Sequence, residues 1–118
     1  MKQLLSFFLI ILFLTTMITA CSPYEALEDI RDQAVVIGRS YQAGKLSGTE
    51  AAEKLYALKI PSTDNFNGEF CLSGFINYLA GCVTREESEY NSEQIEITIN
   101  NLIELDFDHL AKPGSVIY

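Results

Sequence analysis

The side chains best suited to nucleophilic or redox chemistry in this sequence are its three cysteines and its single histidine. Asp106 and Asp108 precede His109, and a carboxylate can orient an imidazole so that it activates a thiol or a hydroxyl. No candidate nucleophile, however, lies in a recognisable strained turn or cleft motif, and a histidine near a helix end commonly interacts with the terminal carbonyl groups. We therefore expect no enzyme, and a small Cys/His enzyme that uses Cys71 or His109 is kept as an alternative.

Cys71 and Cys82 allow two structural interpretations that exclude each other. Outside the cytoplasm an even pair suggests a disulfide, which stabilises a small domain by about 3 kcal/mol through loop closure. On one continuous helix, however, the eleven-residue step from Cys71 to Cys82 would separate their Cα atoms by about 16 Å, and a disulfide spans at most about 7 Å. The alternative is a pair of small buried apolar side chains. Neither cysteine has neighbouring ligands at zinc spacing, so we expect no metal and no cofactor.

Four glutamates form the most distinctive charged pattern, which we call the acidic row. They recur at steps of three and four residues, and like charges at that spacing destabilise a helix by a few tenths of a kcal/mol per pair. The functional interpretation is a contact surface for a basic protein partner, or a loose cation site without a DxDxDG calcium loop. The alternative is a solvated face of an acidic exported protein. The acidic row consists of Glu86, Glu89, Glu93 and Glu96.

The charge of the chain excludes one class of partner. Sixteen acids stand against eight bases, and residues 60–118 contain ten of the acids but only Arg85 and Lys112 as bases. Nucleic acid binding requires a basic stripe that displaces counterions, so we expect no nucleic acid partner. The same charge disfavours electrostatic adhesion to anionic lipid headgroups.

The first twenty residues have the features of an export signal. A lysine lies near the start, and the run from Leu4 to Leu14 is apolar except for one serine. The junction Ile18-Thr19-Ala20-Cys21 resembles the lipobox of bacterial lipoproteins, in which an aliphatic residue and two small residues precede an invariant cysteine. The resemblance implies that Cys21 carries a lipid through a thioether and that a peptidase cuts directly before it.

Two other interpretations of this segment stay open: an uncleaved anchor, because residues 4–20 just reach the length of a membrane span, about 17 residues, and a secretory signal cut elsewhere. The lipoprotein interpretation implies a signal peptide, residues 1–20, and a single small domain, residues 21–118. The domain would be lipid-anchored to the cell membrane or outer membrane, facing away from the cytoplasm. Because Ser22 follows the cysteine in place of aspartate, transfer to an outer membrane would be permitted in a two-membrane bacterium.

Helical spacing predicts two helices in the first half of the domain. Ser22-Pro23-Tyr24-Glu25 has the form of a capping box at the start of the first helix, and Gly44 is expected to end it. Residues 47–49 offer caps for a second helix, which Pro61 stops. The expected core positions are Leu27, Ile30, Ala34, Ile37 and Tyr41 in the first helix, and Ala51, Leu55 and Leu58 in the second.

The second half is predicted to contain a loop over residues 61–68, a third helix, and then one long or two shorter helices up to Leu110. Gly81 is the expected end of the third helix, and Thr84 with Glu87 has the form of another capping box. The expected core positions are Leu72, Phe75, Ile76, Leu79 and Val83, followed by Ile95, Ile99, Leu102, Ile103 and Leu110. The predicted fold class is therefore all-α, a small three to four helix bundle.

An α+β fold with C-terminal β-hairpins is the alternative, because apolar and polar residues also alternate in residues 69–79 and 95–107. Helix is favoured because helical spacing explains the whole of each segment, whereas strand alternation explains only short pieces. Whether residues 94–108 form a helix or a hairpin therefore depends on the tertiary structure.

These observations predict a membrane-anchored envelope lipoprotein that acts as a non-catalytic binding or protein-interaction module. Its expected partners are the membrane, through the lipid on Cys21, and a basic protein at the acidic row. The alternative from a different functional class is a structural or housekeeping envelope lipoprotein without a dedicated ligand.

Overall fold

The structure, a computed structural model, describes residues 23–112. They form five helices and contain no strand, so the all-α prediction is confirmed and the alternative with C-terminal β-hairpins is wrong. The expected signal peptide, Cys21 and Ser22 lie outside the described residues. The helices are α1 (Glu25–Gln42), α2 (Gly48–Ala57), α3 (Phe66–Thr84), α4 (Glu89–Ile103) and α5 (Phe107–Leu110).

Helix α3 is the centre of the bundle and packs against each of the other four helices. Its sequence is apolar around most of its circumference, and a helix of that composition is stable only when other helices cover it. The expected core positions of α1 to α3 are buried or half-buried, whereas Ile103 of α4 is exposed. The fully or almost fully buried apolar residues of α3 are Leu72, Ile76, Leu79, Ala80, Cys82 and Val83.

The helix starts agree with the sequence prediction at α2 and differ at three other helices. Ser47 and Glu50 form a complete capping box at α2. Helix α1, by contrast, begins after Tyr24, which is its N-cap and provides no side-chain cap. The predicted capping residue, Ser22, lies outside the described residues. Helix α3 begins within the predicted 61–68 loop, because the Asn65 side chain accepts a hydrogen bond from the amide of Gly68 (2.9 Å) and caps it.

The end of α3 and the start of α4 are also corrected. Gly81 does not end α3, which continues to Thr84, and the Thr84 hydroxyl donates back to the carbonyl of Gly81 (2.9 Å). The cap of α4 is Ser88, whose hydroxyl accepts from the amide of Asn91 (3.0 Å), so the predicted Thr84 and Glu87 capping box is wrong. The region up to Leu110 consists of two helices, as one of the two predicted arrangements has it.

Gly44 ends α1 as predicted, and its conformation shows why. Its φ of +74° lies in the left-handed region that favours glycine. The amide of Gly44 donates to the carbonyl of Tyr41 (3.0 Å), and the amide of Lys45 donates to that of Ser40 (2.9 Å). The last carbonyl groups of α1 therefore gain partners as the chain turns towards α2.

Polar side chains also tie the helices together. The Asn65 amide donates to the carbonyl of Phe107 (2.7 Å), and the Asn91 amide donates to that of Cys82 (2.8 Å). Arg31 of α1 lies beside the carbonyl groups at the end of α4. In residues 23–112 no buried polar side-chain atom lacks a hydrogen-bond partner. None of the helices formed by these residues has the length and apolar character needed to cross a membrane.

Candidate binding surface

The four members of the acidic row do not form one helical face. Glu89, Glu93 and Glu96 lie on α4, whereas Glu86 lies in the connection before that helix. Glu89 and Glu93 are exposed, so their carboxylates are available at the surface. The fold therefore brings three of the four residues onto one helix.

Glu96 is used within the fold. Its carboxylate accepts hydrogen bonds from the Arg39 guanidinium and from the Gln42 amide, both at 2.7 Å. These two bonds lower the pKa of Glu96 below that of an ordinary glutamate. The ion pair between Arg39 and Glu96 links α1 to α4, so this member of the acidic row has a structural partner.

Cys71 and Cys82 are free thiols on the continuous helix α3. Their separation along the axis of that helix is about 16 Å, well beyond the length of a disulfide. Cys82 is fully buried, while Cys71 is half-buried and burial raises the pKa of its thiol. A raised pKa reduces the thiolate fraction at neutral pH, which is the opposite of what an activated nucleophile requires.

The region of His109 is organised as a helix start. The Asp106 carboxylate accepts a hydrogen bond from the backbone amide of His109 (3.1 Å) and thereby caps α5. Asp106 thus serves the backbone of this short helix. Within residues 23–112 no group of three or more His, Cys, Asp or Glu side chains is arranged to hold a metal ion.

A surface groove between α3 and α4 is lined mainly by apolar side chains. Several large apolar side chains are unusually exposed there: Phe70 is 60% exposed, Tyr78 41% and Ile97 44%. The groove has a volume of about 360 Å³. We call it the α3–α4 groove; its lining residues are Phe70, Cys71, Gly74, Phe75, Tyr78, Gln94, Ile97, Thr98 and Asn101.

The sequence of α3 explains how the groove forms. Phe70, Gly74 and Tyr78 follow one another at steps of four residues, which places them on one side of the helix. A Cβ atom at Gly74 would meet no other group within 4 Å, so the glycine leaves open space between two aromatic side chains. Gln94, Ile97, Thr98 and Asn101 supply the other wall at helical spacing on α4.

Comparison with protein-family models gave no match, and neither the search of curated proteins nor that of solved structures found a protein similar to this chain. Functional assignment therefore rests on the residues and geometry of the chain itself.

Two further depressions differ from the α3–α4 groove in composition. One lies between α1 and α2, has a volume of about 470 Å³, and combines Val36 and Leu58 with both an acid and a base, Asp32 and Lys54. The other, of about 310 Å³, is polar and is lined by residues that include Glu87 and Glu96. Of these three surfaces, only the α3–α4 groove is both mainly apolar and free of lysine and arginine in its walls.

The sequence prediction missed the α3–α4 groove but contained a signal for it. Phe66, Phe70 and Tyr78 lie outside the predicted core face of α3, yet they are aromatic and share the four-residue spacing. A row of aromatic side chains away from the core face indicates either a second packing surface or an exposed contact surface. The position of α4 decides between these two outcomes, because α4 leaves this row of aromatic side chains partly exposed.

Proposed function

We propose that this chain is a bacterial lipoprotein, anchored through Cys21, whose helical bundle is a non-catalytic binding module in the cell envelope. The exposed apolar α3–α4 groove is the observation that carries the binding role. Exposed apolar surface costs free energy in water, and contiguous patches of it commonly mark interaction sites. The lipobox resemblance at Ile18-Thr19-Ala20-Cys21 supports the anchor.

The position of α1 supports the same arrangement. Only Ser22, Pro23 and Tyr24 lie between the proposed lipidated cysteine and the first residue of α1, Glu25. Three residues span at most about 10 Å. In this proposal the bundle is therefore held close to the membrane surface, and the lipid rather than surface charge supplies the membrane affinity.

The proposed contact residues for a basic partner are those acids of the row that face solvent, with Glu89 and Glu93 as the principal pair. Both are exposed side chains on α4, the helix that supplies one wall of the α3–α4 groove. Glu86 is exposed beside them in the preceding connection. Glu96 contributes less in this proposal, because binding a partner would require it to give up Arg39 and Gln42.

The intact mass of the protein extracted from bacterial membranes tests the anchor. We expect a chain that begins at Cys21 and carries a diacylglyceryl adduct. We also expect no mass change on reduction, because Cys71 and Cys82 are free. An unmodified chain that begins at Met1 would refute the anchor, and a gain of two hydrogens on reduction would refute the free thiols.

In-cell cross-linking followed by capture tests the binding role. The charge-reversed variant E89K/E93K should lose cross-linked partners that the unaltered protein retains. Its matched control is E25K/E53K, because Glu25 and Glu89 are each the first residue of a helix, and Glu53 and Glu93 are exposed within one. Equal capture by both variants would refute a role for the acidic residues, and the absence of any stoichiometric partner would favour a structural envelope lipoprotein.

A further inference from the structure

The dimensions of the α3–α4 groove match those of a short helical ligand. Its wall on α3 extends from Phe70 to Tyr78, which is about 12 Å along a helix, and its wall on α4 extends from Gln94 to Asn101, about 10 Å. A ligand helix that inserts side chains at positions i, i+3 or i+4, and i+7 needs about 10 Å of groove. Two turns of helix therefore fit the length of the α3–α4 groove.

The floor of the α3–α4 groove provides a place for an inserted side chain. Gly74 lies midway between Phe70 and Tyr78, and the space beside it is open. Aromatic side chains on either side of such an opening can cover an aliphatic side chain from two directions. The half-buried Cys71 and Phe75 complete an apolar surround without placing a charge in the floor.

The charges around the α3–α4 groove favour a positively charged ligand. Helices α3 and α4 contain four glutamates and neither lysine nor arginine. Glu93 is exposed one turn before Ile97, and Glu104 is exposed one residue after α4. Arg85, which lies over the ring of Tyr78 at 6.0 Å, is the base nearest in sequence to α3 and marks one end of the groove.

The same charges disfavour two other occupants. A second copy of this chain would bring two acidic surfaces together, and their repulsion opposes association. An anionic lipid surface would also be repelled by the exposed acids of α4 and its flanks. A partner with positive charge next to apolar anchors gains from both features of the surface.

We infer that the α3–α4 groove binds an amphipathic helix that has an apolar stripe and lysine or arginine residues along its flanks. This inference rests on the proposed binding role and specifies the chemistry of the partner. The apolar stripe enters the groove between Phe70, Gly74 and Tyr78, and the basic flanks approach the exposed acids beside the α4 wall, Glu93 and Glu104. The ligand is therefore recognised by shape along the groove and by charge at its edges.

A designed peptide tests the inference on the full lipidated protein in phosphatidylcholine nanodiscs. The probe is a fluorescent peptide of about 18 residues, long enough to form an isolated helix, with leucine at i, i+4 and i+7 and lysine on its flanks. A scrambled peptide of the same composition and a peptide with glutamate in place of lysine are the comparisons. Empty phosphatidylcholine nanodiscs measure binding of the peptide to the lipid alone.

The lysine peptide should bind saturably, and added salt should weaken its binding because the flanking charges are exposed. The variant G74L should reduce its affinity by about tenfold or more, because a side chain at position 74 fills the floor. The matched control G81L should retain the affinity, because Gly81 is also an open position on α3 but does not line the groove. Equal binding to both variants, or to the scrambled peptide, would overturn the inference.

Two native thiols report on the same binding event. Bound lysine peptide should slow the alkylation of Cys71, which lines the α3–α4 groove, and leave the slow alkylation of the fully buried Cys82 unchanged. Protection of Cys71 by vesicles of phosphatidylglycerol alone would identify lipid as the occupant and overturn the inference. Protection that rises with protein concentration in the absence of peptide would identify a second copy and overturn it as well.

A second pair of variants covers the case in which G74L does not fold. F70A removes an exposed side chain that lines the α3–α4 groove, and Y56A removes one from α2. Only F70A should weaken peptide binding.

If the peptide fails to bind while E89K/E93K still abolishes capture in cells, the helical-ligand inference is wrong and the binding role stands. If the peptide binds as expected while no cellular partner is captured, the binding role fails on its own test.

Discussion

At the scale of single residues, Arg31 holds together parts of the chain that are far apart in sequence. Its guanidinium donates to the carbonyl groups of Leu102, Ile103 and Leu105 at 3.4 to 3.5 Å, and it lies 5.8 Å from the centre of the Phe107 ring. The last carbonyl groups of a helix lack partners within that helix, so a cation beside them is favourable. Arg31 thereby connects α1 to the end of α4 and to α5.

We predict that Arg31→Ala lowers the free energy of unfolding by about 1 to 2 kcal/mol, through the lost charged hydrogen bonds and the lost ring contact. Urea unfolding followed by circular dichroism measures this change. Arg39→Ala is the comparison, because the ion pair of Arg39 with Glu96 is exposed and such pairs contribute at most about 1 kcal/mol. A smaller loss for Arg31→Ala than for Arg39→Ala would contradict the assigned role of Arg31.

Glu96 gives a prediction for the dependence of stability on pH. Because Arg39 and Gln42 lower its pKa in the folded chain, ionised Glu96 stabilises the fold above the pKa of an unfolded glutamate, and this contribution is lost as the pH falls through the lowered value. Glu96→Gln should remove part of the acid sensitivity. The effect is small, because the side chains of Glu96 and Arg39 are 47% and 42% exposed, respectively, and solvent screens their interaction. Urea titrations at pH 7 and below pH 4.5 compare the variant with the unaltered protein; equal acid sensitivity would contradict the prediction.

At the scale of the helices, the first turn of α2 and the last turn of α3 approach each other very closely. A Cβ atom at Gly48 would overlap the carbonyl oxygen of Val83, which belongs to the backbone and cannot move aside cheaply. Position 48 therefore requires glycine because the two helices lie so close together. Backbone conformation is not the reason, since the φ angle of Gly48 is not in the left-handed region.

We predict that Gly48→Ala lowers the free energy of unfolding by about 1 to 3 kcal/mol, the usual cost of overpacking. Gly81→Ala is the matched change on α3. It should raise the free energy of unfolding by about 0.5 to 1 kcal/mol, because alanine favours a helix and no group opposes the added methyl. Thermal unfolding of the two variants should show shifts of opposite sign, and a stabilised Gly48→Ala protein would contradict the close approach.

At the scale of the whole molecule, the proposed function assigns membrane localisation to the lipid and partner recognition to the acidic charge. Sixteen acids against eight bases give a chain that anionic headgroups repel, so in the proposed arrangement the acyl chains hold it at the membrane. The acids concentrate in the second half of the sequence, which also forms both walls of the α3–α4 groove. The first half supplies α1 and α2, which cover other sides of α3.

We predict that exchange of residues 1–21 for a secretion signal without a lipobox releases the protein from the membrane fraction. The physical reason is the loss of the acyl chains, each buried methylene of which contributes about 0.8 kcal/mol of membrane affinity. Detergent-phase partitioning of cell extracts measures the release, and the folded state is checked by its circular dichroism. Continued recovery in the membrane fraction would show that a contact other than the lipid holds the protein there.

The sequence by itself determined the helices that have regular apolar spacing and clear end signals. Leu72, Ile76, Leu79 and Val83 repeat with the helical period and are buried, and Gly44 ends α1 in the left-handed conformation. These features depend on residues within one helix or one turn. Charge and composition are likewise properties of the chain alone, so the separation of acids into the second half followed directly from the sequence.

Only the tertiary structure decided where α3 ends and what lies outside the core. Glycine disfavours a helix by about 1 kcal/mol, but Cys82 and Val83 beyond Gly81 are buried against other helices, and that burial continues α3 to Thr84. Because α3 includes Thr84, the N-cap of α4 is Ser88 and not the predicted Thr84. The α3–α4 groove and the pairing of Glu96 with Arg39 each require two helices side by side, and the spacing of residues along one helix does not specify its neighbour.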